Sequence, residues 1–205
     1  MSLKEVLIDE MRDLYSAENQ ILKALPKTIK EISDSKLKEM FTAHLEETKE
    51  QVVRLRTIFG HLGRKPTGKH CDGTEGCLKE VEEAREEETE GAIKDAGIIG
   101  ASLRAEHYEI AGYTAAIAMA KTLKQDEIVK LLTETLHEEQ AAAKNILVDA
   151  VSILKEAAAQ EEDDEEEDSE EKDPEKKESE LKSEQDEAEA ASELENALAK
   201  PGKKK

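Results

Sequence analysis

Tryptophan is absent from this 205-residue chain, and aromatic residues of any kind make up only 2% of it. Proline and glycine are scarce too, at 4 and 10. What remains is dominated by Ala, Leu, Ile, Glu and Lys, which lose little side-chain freedom in a helix, so the composition points to an all-α protein. Cysteine occurs twice, at Cys71 and Cys77 in the stretch CDGTEGC. That is too few for the disulfide framework of a small secreted domain, and the spacing is wrong for a Cys-x-x-Cys pair. No apolar run reaches the roughly 18 residues a membrane-spanning helix needs. The opening MSLKEVLIDEMRD lacks the apolar segment and small-residue cleavage site of a secretory signal. A soluble, cytoplasmic protein with no membrane contact is expected. Basic charge is also in deficit, with a net charge of −20. Residues 156–205 hold 21 acidic and 8 basic residues, a net of −13, which leaves −7 for residues 1–155. Such a field repels phosphate backbones, so nucleic acid is excluded as a partner and cations are favoured.

The 37% hydrophobic content supplies one core of about 150 residues rather than two. Four long stretches carry apolar residues at intervals of three and four, the helical period. The first runs Leu3, Leu7, Met11, Leu14, Glu18, Ile21, Leu25 up to Pro26, where a kink or restart is expected. Ser33 or Asp34 can cap the second, which runs through Leu37, Phe41, His44, Glu47, Gln51, Leu55 and Ile58 and ends near Gly60 and Gly63. A loop with Pro66, Gly68, Gly73 and Gly76 leads to a short charged helix around CLKEVEEAREEE. The third long helix carries Ile99, Leu103, Glu106, Ile110, Tyr113 and Ile117; the fourth carries Ile128, Leu132, Thr135, Glu138/Glu139, Ala142, Ile146 and Ile153. Two helical hairpins joined by one long crossover make an antiparallel four-helix bundle spanning residues 1–155. Residues 156–205 form an acidic low-complexity tail, expected to be disordered or only transiently helical, since it cannot bury enough to offset its ordering entropy.

Each long stripe is interrupted at mid-length by acid: Glu18, Glu47, Glu106 with Glu109, and Glu138 or Glu139. In an antiparallel bundle, mid-helix positions share one layer. Buried together, ionised carboxylates without a partner cost several kcal/mol each, and no stripe offers a Lys or Arg at the same depth. Protonation, hydration or a bound cation must resolve the conflict. The residue types suit Fe or Mn, one ion or two, with His44 one turn from Glu47 as an imidazole ligand and His107 beside Glu106 as a weaker candidate. Tyr15 and Tyr113, one turn from Glu18 and Glu109, are either hydrogen-bond donors to such ligands or ordinary amphipathic core residues.

The segments DLYSAENQ, HLEETKEQ, RLRTIFGHLG, KHCDGTEG, EHYEIAGY and LLTETLHEEQ resemble, in chain order, signature segments of the YciE/YciF family of bacterial stress proteins. The resemblance covers residues 3 to about 153. It implies a ferritin-like fold similar to rubrerythrin, a stress-response role and a homodimer. Glu18 matches the first-helix Glu of ferritin-like di-metal sites, and Glu106-x-x-Glu109 resembles the paired third-helix acids of rubrerythrin. The histidines of the Glu-x-x-His motifs are missing: Glu50 stands three residues beyond Glu47, and Ala141 three beyond Glu138. The expected function is therefore a carboxylate-rich Fe or Mn site that oxidises iron or consumes peroxide, with Glu18, His44, Glu47, Glu106, Glu109 and Glu138 as ligands. The rival is a non-enzymatic helical stress protein whose acids form a hydrated layer. Cys71 and Cys77 stand apart as a candidate redox pair, although acidic neighbours disfavour thiolate there.

Overall fold

The computed structural model of the protein describes residues 1–87 and 90–171, with backbone alone from residue 161 on. Met1–Ala158 forms one compact unit, and a second begins at Ala159. Five helices follow in order: α1 (Leu3–Glu31), α2 (Ser35–His61), α3 (Asp72–Glu86), α4 (Gly91–Thr122) and α5 (Asp126–Glu171). No strand occurs among the described residues. The backbone of residues 161–171 is helical; the rest of the tail expected to be disordered lies outside the described residues.

Ser2 caps α1 by accepting a hydrogen bond from the Glu5 amide at 3.2 Å. The helix does not restart at Pro26 but runs through it to Glu31. Proline removes one donor there, yet Leu25 and Thr28 on either side of it are buried, so tertiary contact holds the last turn where propensity would end it. At the α1–α2 turn the cap is Asp34, whose carboxylate accepts from the Leu37 amide at 2.7 Å. The turn is tied from outside as well. Buried Asp95 of α4 accepts from the Ser33 amide at 3.0 Å and the Asp34 amide at 2.7 Å.

Gly63 closes α2 at φ +66°, donating to the Gly60 carbonyl while Arg64 donates to that of Phe59. This pair of bonds is the Schellman pattern that favours glycine. Helix α3 begins at Asp72, ahead of the start at Cys77 that the sequence suggests, so Gly73 and Gly76 are helical and not in the expected loop. Asp72 and Glu75 sit in its first turn, where the helix dipole favours acids. Gly73 also permits a close approach to α4, because a Cβ there would stand 2.5 Å from the Tyr108 ring.

The core has two apolar clusters. One joins Leu7–Leu14 of α1, Leu55–Leu62, Tyr113–Ala120 and Ile128–Leu132. The other joins Ile21–Ile32, Leu37–Phe41, Ala92–Ile99 and Ile146–Ala157. Their membership fixes the topology: α1 and α5 run one way, α2 and α4 the other, and the α3 segment carries the chain along the length of the bundle. Between the clusters each long helix contributes polar side chains.

Candidate metal centre

The polar layer follows from each helix's inward register. On α1 the buried positions Leu14, Glu18, Ile21 and Leu25 alternate steps of four and three, which places Glu18 in the centre. On α2 the sequence is Phe41, His44, Thr48, Gln51, Leu55. On α4, Ser102, Glu106, Glu109 and Tyr113 face inward. On α5, Leu132, Thr135, Glu139 and Ala142 do so. Glu18, His44, Glu106, Glu109 and Glu139 are each at most 6% exposed.

His44 Nε2 lies 3.4 Å from Glu106 Oε1. Donor atoms of His44, Glu106 and Glu139 all fall within 4.8 Å of one another, close enough to converge on one ion at the metal–ligand distances of about 2.0–2.2 Å usual for N and O donors. Tyr113 donates its hydroxyl proton to Glu18 Oε1, and Gln51 Nε2 donates to Glu139 Oε1. Four carboxylate oxygens, Glu18 Oε2, Glu106 Oε2, Glu109 Oε1 and Glu139 Oε2, are buried without a hydrogen-bond partner. Oxygens of this kind are costly in a metal-free core and are what a hard or borderline cation binds.

The electrostatics agree. Burial pushes Glu18 up to about 7, against the hydrogen bond from Tyr113 and the nearby His44. Burial and then the surrounding acids push Glu109 and Glu139 well above the carboxylate range. For His44 burial works toward the neutral ring, but Glu106, Glu47 and Glu18 together outweigh it and raise its pKa. Burial likewise lifts Tyr113 well above an ordinary phenol, so it keeps the proton it gives to Glu18. Protons shared among these groups stand in for positive charge.

Of the ligands expected from sequence, Glu18, His44, Glu106 and Glu109 meet in this layer. Glu47 and Glu138 do not. Glu47, with a side chain 48% exposed, sits 3.7 Å from His44 Nδ1, the ring nitrogen that faces away from Glu106. It lies about 60° around α2 from the inward line, by helix geometry. There it faces the imidazole as a charge and not as a hydrogen-bond partner, since Nδ1 is buried without one, and His44 in turn holds the Glu47 pKa below the usual range. Glu138 is gripped by Arg54 at 2.5 and 2.7 Å. Glu139, the less favoured of that pair, is the one that points inward. His107 is exposed, with Nδ1 against the Leu103 carbonyl at 2.9 Å. Tyr15 turns away, stacking edge-on to Phe59 and accepting from Arg56 Nε at 3.2 Å.

Two participants escape the sequence pattern. Gln51 bridges Glu138 and Glu139, and its place on the inward line is the signal that could have found it. Arg54, 15% exposed at its side chain, brings a cation to the rim of the layer, where no stripe offered one. Cys71 and Cys77 are both free thiols. Cys71 is buried, its Sγ within 3.1–3.3 Å of Asp13 Oδ2, Tyr108 OH and Thr74 Oγ1. Burial and then Glu80 raise the Cys77 pKa.

Residues 2–159 match the family described as Domain of unknown function (DUF892). The chain belongs to the DUF892 family. Protein YciF of Escherichia coli strain K12 is 37% identical over 141 residues, which are 68% of this chain and 85% of YciF. The crystal structure of the E. coli stress protein YciF superposes with a TM-score of 0.73 at 34% identity, covering 75% of this chain and 98% of that one. YcfI of Rhodopseudomonas palustris gives 0.69 at 41% identity, covering 71% and 93%. A Xanthomonas campestris protein at 20% identity shares the fold, at 0.63 over 78% and 99%. The resemblance read from the sequence is thus confirmed, and so is the all-helical DUF892 fold. Among the described residues no helix is long and apolar enough to cross a membrane.

Proposed function

We propose that the protein is a stress-response metalloprotein in which His44, Glu106 and Glu139 hold one Fe or Mn ion, with Glu18 and Glu109 supplying carboxylates for a second. The observation that carries this reading is the set of four unpartnered, buried carboxylate oxygens gathered around His44. The stress role draws on YciF, described as a stress protein. Bound there, Fe(II) or Mn(II) ions would supply one electron each, so that two ions together could give hydrogen peroxide the two electrons that, with two protons, make two waters. The chain's own residues prepare the site. Tyr113 fixes one oxygen of Glu18, Glu47 places a negative charge behind His44, and Arg54 neutralises Glu138 so that Gln51 can hold Glu139.

Protein purified without chelator is expected to carry Fe or Mn, and its Tm is expected to rise when either is added. Substoichiometric metal with no rise in Tm overturns the proposal. A second reading, a non-catalytic helical protein with a protonated polar layer, is favoured by Glu18 alone, whose pKa of about 7 lets protons serve in place of metal. The same metal assay separates the two.

The partner we propose is a second copy. Over residues 146–154, α5 carries apolar side chains on two sides: Ile146, Ala150 and Ile153 face the bundle, while Leu147, Val148, Val151 and Leu154 are 50–63% exposed. Large exposed apolar side chains grouped on one stretch of helix mark an interaction surface. A two-fold interface buries the same patch on both copies, which a single exposed stripe of this kind can supply. Sedimentation should find a dimer, and V148E/V151E should give monomers; a monomeric wild-type protein, or a double variant that still dimerises, rejects this face.

A further inference from the structure

Two approaches to the buried layer differ in chemistry. One is an open groove of about 560 Å³ between α1 and α3, whose rim mixes lysines and acids. Ala24, Thr28, Leu78 and Val81 separate this groove from the interior beside His44, Glu106 and Glu109. Only Thr28 among them is polar, and its hydroxyl donates to the Ala24 carbonyl at 3.3 Å. A cation crossing there sheds its water with no oxygen to replace it.

The other approach lies between α2 and α5. Glu134, Thr135 and Glu138 share one face of α5, three and four residues apart, and the Arg54 guanidinium fills the space between their oxygens. It donates to Thr135 Oγ1 at 3.0 Å and to the two oxygens of Glu138 at 2.5 and 2.7 Å, with Nε 3.7 Å from Glu134. A cation already sits here, carried on a side chain that can swing away. Next to it the Gln51 amide donates to Glu138 Oε2 at 3.1 Å and also to Glu139 Oε1, so a single amide group joins the outer carboxylate to the core one. Gln51 is fully buried, and its own Oε1 has no partner. Exposure falls along this line, from 54% at the Glu134 side chain to 23% at Glu138 and none at Glu139.

We propose that the Arg54–Glu138 pair is a latched port for divalent cations: Glu134 draws the ion in, Arg54 yields Glu138 to it, and Gln51 holds Glu139 ready to take it next. The exchange is cation for cation. Released with nothing in its place, Glu138 becomes a largely buried, unpaired carboxylate, which is costly, so the latch stays shut until another cation arrives. A monovalent ion matches the charge of Arg54 but not its two parallel hydrogen bonds, whereas a divalent ion doubles the charge. Once the ion has moved inward, Arg54 regains Glu138 and closes the port. This rests on the metal reading above, which gives the ion its destination.

The test follows Mn(II) uptake by the full-length, metal-free protein, by rapid mixing with a metal-sensitive dye, and Mn(II) release into excess chelator. R54Q should speed both, uptake by about 10-fold, within the range that charge at an entrance contributes to association. R54K, which keeps the charge and loses the fork, should fall between R54Q and wild type. E134Q, a change at an exposed carboxylate, should slow uptake and weaken its salt dependence. L78A, at the apolar partition, should leave uptake unchanged. Faster release without faster uptake in R54Q and R54K makes Arg54 a support for Glu139 alone and overturns the port. Uptake that L78A speeds and E134Q does not slow overturns it too, and that comparison stands even where R54Q does not fold. In both cases Mn(II) still binds, so the metal reading survives. No Mn(II) bound by wild type or variant overturns the metal reading, and the port falls with it.

Discussion

Two groups of the same chemistry stand in this molecule, each a histidine and two acids with donor atoms within 4.8 Å of one another: His44, Glu106 and Glu139 in the core, and His70, Asp72 and Glu75 at the surface before and within α3. In the exposed group His70 Nε2 lies 3.0 Å from Glu75 and 3.6 Å from Asp72, and all three side chains are more than half open to solvent. In the buried group Glu106 Oε2 and Glu139 Oε2 have no hydrogen-bond partner. Residue type and spacing alone therefore do not make a metal centre; exclusion of water turns a tolerable cluster of acids into one that demands a cation or protons.

The largest effect that would sharpen this contrast is on metal-dependent stability. A ligand at 100 times its Kd stabilises by about 2.7 kcal/mol. The wild-type protein should show that gain with Fe(II) or Mn(II), E139Q should lose nearly all of it, and E75Q should retain it. Equal losses in the two variants, read by thermal denaturation, would erase the distinction between the groups. Next in size is the support behind His44. E47Q should weaken metal binding about 10- to 100-fold, as changes behind a ligating histidine do, measured by competition with a coloured chelator.

The pH dependence is the third comparison. Because the folded-state pKa of Glu18 is raised from 4.5 to about 7, its contribution to stability is full below about 4.5 and is lost as pH rises through about 7. Glu109 and Glu139 are shifted in the same direction. The metal-free protein should therefore melt at lower temperature at pH 8 than at pH 5. With saturating metal the slope should flatten or reverse, since bound cations displace those protons. A metal-free melting temperature that climbs between pH 5 and 8 contradicts the buried placement of these acids. The smallest effect belongs to the exposed group: H70A should leave the melting temperature at neutral pH where it was, with or without metal.

Much of the fold was legible because steps of three and four mark an inward helix line whatever residues occupy it. Glu18, Glu106 and Glu109 lie on such lines and were found that way. The same rule, followed strictly, separates neighbours: Leu132, Thr135, Glu139, Ala142, Ile146 step by three, four, three and four, and Glu138 falls about 100° off that line. Likewise His44, Thr48 and Gln51 leave Glu47 to one side. Other features depend on partners distant in sequence. Arg54 is visible only through its pairing with Glu138 across two helices. The early start of α3 depends on Gly73 meeting Tyr108, and the continuity of α1 through Pro26 depends on what its last turn touches.

The clamp that Asp95 places on the α1–α2 turn reaches across 62 residues to the Ser33 amide. The first hairpin therefore borrows its corner from the second, and a fragment ending at Gly63 would leave two turn amides without their acceptor. Assembly of the four long helices is to that extent a joint event, in which neither half is finished until the other arrives.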